Sequence, residues 1–256
     1  MGSGDYFDLS ASDVVAVSPD GVAYNLYQYE STTGEPGLLN GQQMGSGWKD
    51  ITAGFVTDWN GDGFQDLLVQ WNDGKMRLYA GTTQPFGGYT VIGQGWQGLK
   101  LSVGKWKTGD KFPSIITTDA GGLMRHYPNL GGAGIGAGTQ IGAGWTGLEI
   151  VQMDFDKDGK TDIVAKNAAG ELKLYRGNGI GGFISRTPTT VGVGWDVITA
   201  ISPTSGFNGA GTTGMLARTT GGDLRYYQIN ANNSWAAPVT VGWGWQTLAI
   251  FRSTMP

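Results

Sequence analysis

The chain has 256 residues, of which 17 are basic and 21 acidic, giving a formal net charge of −4 with no long run of like charge. That balance argues against nucleic acid or an anionic membrane as a partner. No apolar run approaches the roughly 20 residues needed to span a bilayer as a helix. Cysteine is absent, so there is no disulfide framework, and the redox compartment cannot be read from cysteine usage.

The amino terminus, Met-Gly-Ser-Gly, lacks the basic start and apolar stretch of a signal peptide. The 46 glycines recur at fixed positions, which points to turns rather than disorder. Five copies of one signature, G-x-G-W, end at Trp48, Trp96, Trp145, Trp195 and Trp245, at spacings of 48, 49, 50 and 50 residues. A period of this length means one supersecondary unit copied in series.

The unit is clearest between Trp145 and Trp195. Residues 148–153 are a short apolar strand, 154–162 an acidic loop, 163–165 a second apolar run, 167–170 a tight turn and 172–175 an alternating third strand. A glycine-rich loop then leads to a fourth strand near residues 189–191. Four short strands with turn chemistry and no helical period predict one small antiparallel sheet. The register holds throughout: the second strand starts at Asp13, Asp66, Ser114, Asp162 and Gly214, and a turn glycine follows at Gly21, Gly74, Gly122, Gly170 and Gly222.

The chain starts at a second strand and ends on a first strand, residues 248–251, so the termini share one unit. Pairing them leaves no unit with an unmatched sheet edge, whereas a linear solenoid would want atypical caps at both ends. The sequence therefore predicts an all-β, five-bladed β-propeller of four-stranded antiparallel blades, closed by the C-terminal strand. Blade 1 is 5–47 plus 245–256, blade 2 is 48–95, blade 3 is 96–144, blade 4 is 145–194 and blade 5 is 195–244.

Two loops carry a metal-ligand pattern. Asp58, Asn60, Asp62 and Asp66 read D-x-N-x-D-G-x-x-D, and Asp154, Asp156, Asp158 and Asp162 read D-x-D-x-D-G-x-x-D. Alternate oxygens converge when such a loop curls, and hard oxygen ligands suit calcium. The backbone carbonyls of Phe64 and Lys160 stand where such a loop adds a ligand. An EF-hand is excluded, because its loop is longer, ends in Glu and lies between helices. The competing reading is a hydrated turn whose aspartates cap backbone amides. The loops before Ser114 and Gly214 do not match, and Asp5 to Asp13 keeps only its ends, with Phe7 and Leu9 between. Two structural calcium sites are expected.

Units of this form, with the stretch Gly170-Glu171-Leu172-Lys173-Leu174-Tyr175-Arg176-Gly177-Asn178-Gly179-Ile180-Gly181-Gly182-Phe183, resemble FG-GAP (VCBS-type) repeats, which are propeller blades. The I-G-x-G-W segments at Ile92–Trp96 and Ile141–Trp145 are similar to those of tachylectin-type five-bladed lectins. The first resemblance covers four of the five units. The second is confined to blade number, repeat length and the G-x-G-W segment, and the aspartate loops depart from it. Together they imply a secreted or cell-surface protein that binds glycans, including N-acetylated sugars, at related sites on the blades.

Each joint tryptophan has two readings: a large core wedge between blades, or an aromatic wall beside backbone amides that glycine leaves open to a ligand. On the third strand Arg77 and Tyr79, Arg125 and Tyr127, Lys173 and Tyr175, and Arg225 and Tyr227 are each two apart and so share a sheet face. They form either an inter-blade stack or a sugar-binding cleft. Blade 1 departs, with Tyr24 and Tyr27. His126 is the sole histidine, and no nucleophile–base constellation is available. The sequence thus points to a non-enzymatic, multivalent carbohydrate-binding propeller. The alternative is a structural or protein-recognition module, for which the unequal loops 129–138 and 206–213 speak, or an accessory domain of a larger secreted enzyme.

Overall fold

Short apolar runs separated by glycine turns pair with their chain neighbours, and the last two strands pair across the chain, so the result is five small sheets that are antiparallel but for one added strand. The structure, a computed structural model, describes residues 13–28, 39–81 and 88–254. The first acidic-loop segment, with Asp5, Phe7 and Leu9, lies outside the described residues.

Blade 1 contains β1 (Val14–Val17), β2 (Ala23–Gln28) and β3 (Leu39–Gly45). Blade 2 contains β4 (Ile51–Thr57), β5 (Asp66–Trp71), β6 (Met76–Tyr79) and β7 (Thr90–Gly93). Blade 3 contains β8 (Lys100–Gly104), β9 (Ser114–Thr118), β10 (Met124–Tyr127) and β11 (Thr139–Gly142). Blade 4 contains β12 (Glu149–Met153), β13 (Asp162–Lys166), β14 (Leu172–Tyr175) and β15 (Thr189–Gly192). Blade 5 contains β16 (Ile198–Ser205), β17 (Thr213–Thr219), β18 (Leu224–Gln228) and β19 (Val239–Gly242). The chain closes with β20 (Ala249–Ile250) and β21 (Arg252–Ser253). No helix occurs among the described residues.

Burial falls outward along each sheet. Strands β1 and β9 are buried at every position, whereas the outer strands β7, β11 and β15 begin exposed. Each of the five outer pairings slips register one step after the third strand begins, at Ala23, Met76, Met124, Leu172 and Leu224. A bulge increases local twist and bends the strand, and here it turns the outer strand into the joint that starts the next blade.

The joint is the same five times. The N–H of Trp48, Trp96, Trp145, Trp195 and Trp245 donates to the carbonyl of the preceding blade's turn glycine, Gly21, Gly74, Gly122, Gly170 and Gly222, at 2.9 to 3.0 Å. The turn glycines have φ between +76° and +88°, a region that costs other residues roughly 1–2 kcal/mol. The first glycine of the signature supports the indole: a Cβ on Gly142 or Gly192 would lie 2.6 or 2.9 Å from Nε1 of Trp145 or Trp195. The second, such as Gly144 at φ +85°, supplies the positive dihedral that turns the chain.

All five joint tryptophans are at most 9% exposed. A second aromatic series, not recognised from the sequence, follows the first loop position: Trp59, Trp106, Phe155 and Phe207 are each no more than 1% exposed. Each core cluster joins residues of adjacent blades, as where Phe155 of blade 4 packs with Met215 and Ile229 of blade 5.

The ring closes as expected and then goes further. Strand β20 pairs antiparallel with β1, and β21 crosses to pair in parallel with β4 of blade 2. The switch occurs at Phe251, whose ring lies where a Cβ on Gly54 would stand.

His126, on β10, takes a place held by Leu78 and Leu174 in blades 2 and 4. It is 5% exposed and its Nε2 is buried without a hydrogen-bond partner. Burial, reinforced by the Lys107 charge and opposed by Asp110, holds its pKa below the ordinary 6.5. The folded state then binds fewer protons than the unfolded one, so its contribution is complete above pH 6.5 and is lost as pH falls towards the depressed value.

Two predictions follow from this architecture. Trp145→Ala should cost about 3–5 kcal/mol of unfolding free energy by urea titration, with Gly170→Ala also destabilising because its Cβ would collide with the Asp196 backbone. His126→Leu should gain in thermal midpoint relative to the parent as pH drops from 7 to 5. A constant difference across that range would contradict the assignment.

Candidate functional site

The acidic loops lie where an inner strand turns back into the second strand. Their last aspartates, Asp66 and Asp162, are at most 1% exposed and act as staples. Asp66 accepts from the N–H of Trp59 at 2.9 Å and of Gly81 at 2.7 Å. Asp162 accepts from Phe155 at 3.2 Å and Gly177 at 2.9 Å. Each carboxylate ties its loop to the hairpin after the third strand. Burial pushes Asp66 up to about 6 and Asp162 up to about 7, against the lowering effect of those amides.

The first aspartates cap their own loops. Asp58 accepts from the amides of Gly61, Asp62 and Gly63, and Asp154 from those of Asp158 and Gly159. Asp62 accepts from Phe64 N and from Asn60 Nδ2. Asp158 accepts from Lys160 through both its N–H and its ammonium, the latter at 2.7 Å, and this side-chain bond holds the Asp158 pKa low. The turn-capping chemistry weighed from the sequence is thus present in both loops.

The loops differ at the middle. In blade 4, Asp154, Asp156 and Asp162 each bring a carboxylate oxygen within 4.8 Å of the others, the one such trio among the described residues. Asp156 Oδ2 pairs with Arg176 Nε at 2.7 Å, and its Oδ1 is buried with no hydrogen-bond partner. An orphaned carboxylate oxygen beside two other carboxylates suits a hard divalent cation. Blade 2 has Asn60 at that place, with its amide turned to Asp62 at 2.8 Å.

These loops also dock on the adjacent blades. Asn129 Nδ2 donates to Trp59 O at 2.8 Å, Thr161 Oγ1 to Lys105 O at 2.6 Å, and Lys157 Nζ to Ile229 O at 3.4 Å. Nothing in the repeat pattern announced these contacts, because the partners lie in different units.

The aromatic candidates pack where adjacent blades meet. Trp48 packs on Tyr79, Trp96 on Tyr127, Trp145 on Tyr175 and Trp195 on Tyr227, with ring centroids 4.4 to 4.9 Å apart. The tryptophans are buried and the tyrosines half-buried. Trp245 has no such tyrosine: strand register places Leu26 at the tyrosine position and Tyr24 at the cation position, so the pair in blade 1 is Tyr24 and Leu26 rather than Tyr24 and Tyr27.

The cations differ by blade. Arg77 lies between the rings of Trp71 and Tyr89, 4.2 and 4.8 Å from their centroids, and pairs with Asp73 at 2.8 Å. Lys173 pairs with Glu171 at 3.0 Å and reaches Thr190 at 2.8 Å. Arg225 pairs with Asp223 at 3.0 Å, and Arg125 is exposed. The four junctions therefore share an aromatic stack and differ in what the cation pairs with.

No protein-family model matches the chain, and no curated protein sequence matches it either. Solved structures do. A lectin from Agrocybe aegerita, described as recognising non-reducing terminal N-acetylglucosamine, aligns with TM-score 0.52 at 14% identity over 93% of this chain and 67% of its own. The BP39L lectin from Burkholderia pseudomallei aligns with TM-score 0.49 at 15% identity over 90% of this chain and 66% of its own. AofleA from Arthrobotrys oligospora aligns with TM-score 0.52 at 12% identity over 94% and 72%. The chain thus spans about two thirds of the length of the first two. At these identities the likeness is one of fold: an all-β propeller whose solved neighbours include lectins.

Proposed function

We propose that this propeller binds carbohydrate without transforming it, through the clefts between blades. The observation that carries this is the repetition of one half-buried tyrosine, Tyr79, Tyr127, Tyr175 and Tyr227, each backed by a buried tryptophan with a cation two residues earlier. A flat apolar ring face suits the C–H face of a pyranose, and the neighbouring cation and its carboxylate partner offer a donor and an acceptor for hydroxyl or acetamido groups. The Agrocybe aegerita lectin, described as recognising terminal N-acetylglucosamine, supports the same ligand class for this chain. Four related sites of modest affinity, not the five that the repeat number allows, would gain avidity on a surface that displays repeated glycans, a setting consistent with a secreted or cell-surface location.

Calcium in this reading is structural. The blade 4 loop has the donor set for it, with Asp154, Asp156 and Asp162 as carboxylate ligands, Asp158 as a further oxygen donor and the Lys160 carbonyl as a backbone donor. The blade 2 loop, with Asp58, Asn60, Asp62, the Phe64 carbonyl and Asp66, is the second candidate. A bound cation would answer the unpartnered Asp156 oxygen and offset the cost of burying Asp162 as a carboxylate.

A second reading is protein recognition. It draws on Trp243 and Val193, which are 64% and 73% exposed at equivalent joint positions. Exposed large apolar groups of this kind mark interaction surfaces when they form a patch.

A glycan array tests the main proposal. Binding to N-acetylated glycans is expected, with Tyr175→Ala weakening it two- to tenfold on a multivalent surface rather than abolishing it; a folded sample that binds no glycan would refute the reading. For the metal, millimolar calcium should raise the thermal midpoint by several degrees through mass action, and Asp156→Asn should remove most of that gain. No calcium-dependent shift in the parent would exclude a structural site.

A further inference from the structure

The inner strands border the central channel, and beside the joints the channel opens into a cup of about 520 Å³, a size that suits a small ligand. The residues four places after each joint tryptophan surround it, Thr52 and Thr199 standing in the bulges of β4 and β16. Thr52, Lys100, Glu149 and Thr199 line the cup, and Ala249 lines an adjoining compartment of about 330 Å³. The five residues are of four kinds, with one cation and one carboxylate among them, so the axis carries one asymmetric site, not five equivalent ones.

The two compartments meet at Gly54. Strand register aligns it with Leu101, Ile150 and Ile201 in blades 3 to 5, and the ring of Phe251 fills the place of the missing side chain.

Charge distinguishes this cup from the rest of the surface. Arg252 crosses its floor, with Nη2 2.8 Å from Glu149 Oε1 and Nη1 donating to Leu101 O at 3.0 Å. Glu149 Oε1 also accepts from Ile201 N at 3.3 Å. The lone carboxylate is therefore already answered. Lys100 is exposed, and its ammonium reaches the Leu148 carbonyl at 3.4 Å. Arg218 lines the adjoining compartment and donates from Nε to Thr199 Oγ1 at 2.9 Å. Three cations thus face one carboxylate on a chain of net charge −4, in a cleft where walls of low dielectric concentrate the field.

The hydroxyls define the rest of the ligand. Thr52 donates to Gln70 O and Thr199 to Arg218 O, each at 3.2 Å. Their protons are committed to backbone carbonyls, so towards the cup they can act only as acceptors. A matching ligand carries a negative charge for Lys100 and hydroxyl donors for the two threonines.

We propose that this axial cup binds one small hydroxylated organic anion per chain, of the class of a sugar acid, with Lys100 and Arg252 holding its carboxylate and Thr52 and Thr199 accepting from its hydroxyls. The proposal does not depend on the inter-blade reading.

Isothermal titration of the full chain with sodium glucuronate at low ionic strength tests it, with neutral glucose as the uncharged comparison. The expected result is one saturable site per chain, weakened by added sodium chloride and by about tenfold in Lys100→Gln, the effect of one charge-assisted contact. Ala249→Glu, which adds a carboxylate at the exposed edge of the adjoining compartment, should weaken it similarly, while Lys49→Gln, an exposed joint lysine outside the cup, should leave it unchanged. Circular dichroism confirms that each variant is folded. No saturable binding, a stoichiometry near five, equal binding of glucose, or unchanged affinity in both Lys100→Gln and Ala249→Glu would overturn the proposal.

Discussion

The hydrogen bond from each joint tryptophan N–H to the turn glycine of the preceding blade is the constraint on which the rest of this molecule depends. Four-stranded sheets of this size cannot bury their own faces, so stability comes from stacking blade on blade. Stacking needs a fixed spacing and angle, and the bond sets both. It places the indole over the first glycine of the signature, where in four of the five joints a Cβ would collide with Nε1, and carries the chain through the second at positive φ. It also sets the tryptophan against the tyrosine of the new blade. One backbone contact therefore positions the Trp–Tyr stack at four of the five blade junctions.

The same joints explain why the conserved geometry and the variable chemistry sit side by side. The tryptophans are committed to packing, and what faces outwards is the tyrosine ring with whatever cation and acid accompany it. Blade 2 shows how far the rim can diverge. Four blades place Ser18, Asp119, Asn167 or Thr219 at the start of the β-turn between the second and third strands, and each accepts a turn amide. Blade 2 has Trp71 there instead, with its cap shifted to Asp73 and its ring stacked on Arg77. The acidic loops diverge in the same way. Asp66 and Asp162 do one mechanical job in both, whereas Asn60 and Asp156 leave different electrostatics at the loop centre.

The ends of the chain break the five-fold symmetry. Because β20 completes blade 1 and β21 then joins blade 2, the seam is sewn twice. The second stitch carries Arg252 into the channel, where it meets Glu149 from blade 4. A repeat protein acquires one unique place on its axis by this route. That place is where side chains from four blades and the C-terminal strand converge without being copies of one another.

Blade number, strand order, ring closure and the positions of the turn glycines were legible in the sequence, because each is a local property repeated at a fixed period. Alternation marked the Arg–Tyr pairs on one face, and the aspartate spacing marked the two loops. The buried aromatic after each first loop position was also visible as Trp59, Trp106, Phe155 and Phe207, but its role was not, since an apolar residue beside an aspartate reads as loop until packing buries it. Only the tertiary structure decided which carboxylates come together, that Leu26 and not Tyr27 matches Tyr79, and that Lys100, Glu149 and Arg252 share one axial cup with Arg218 in the compartment beside it. Those relations join residues from different blades or depend on the register of a bulged strand, and a single chain's local pattern carries no record of either.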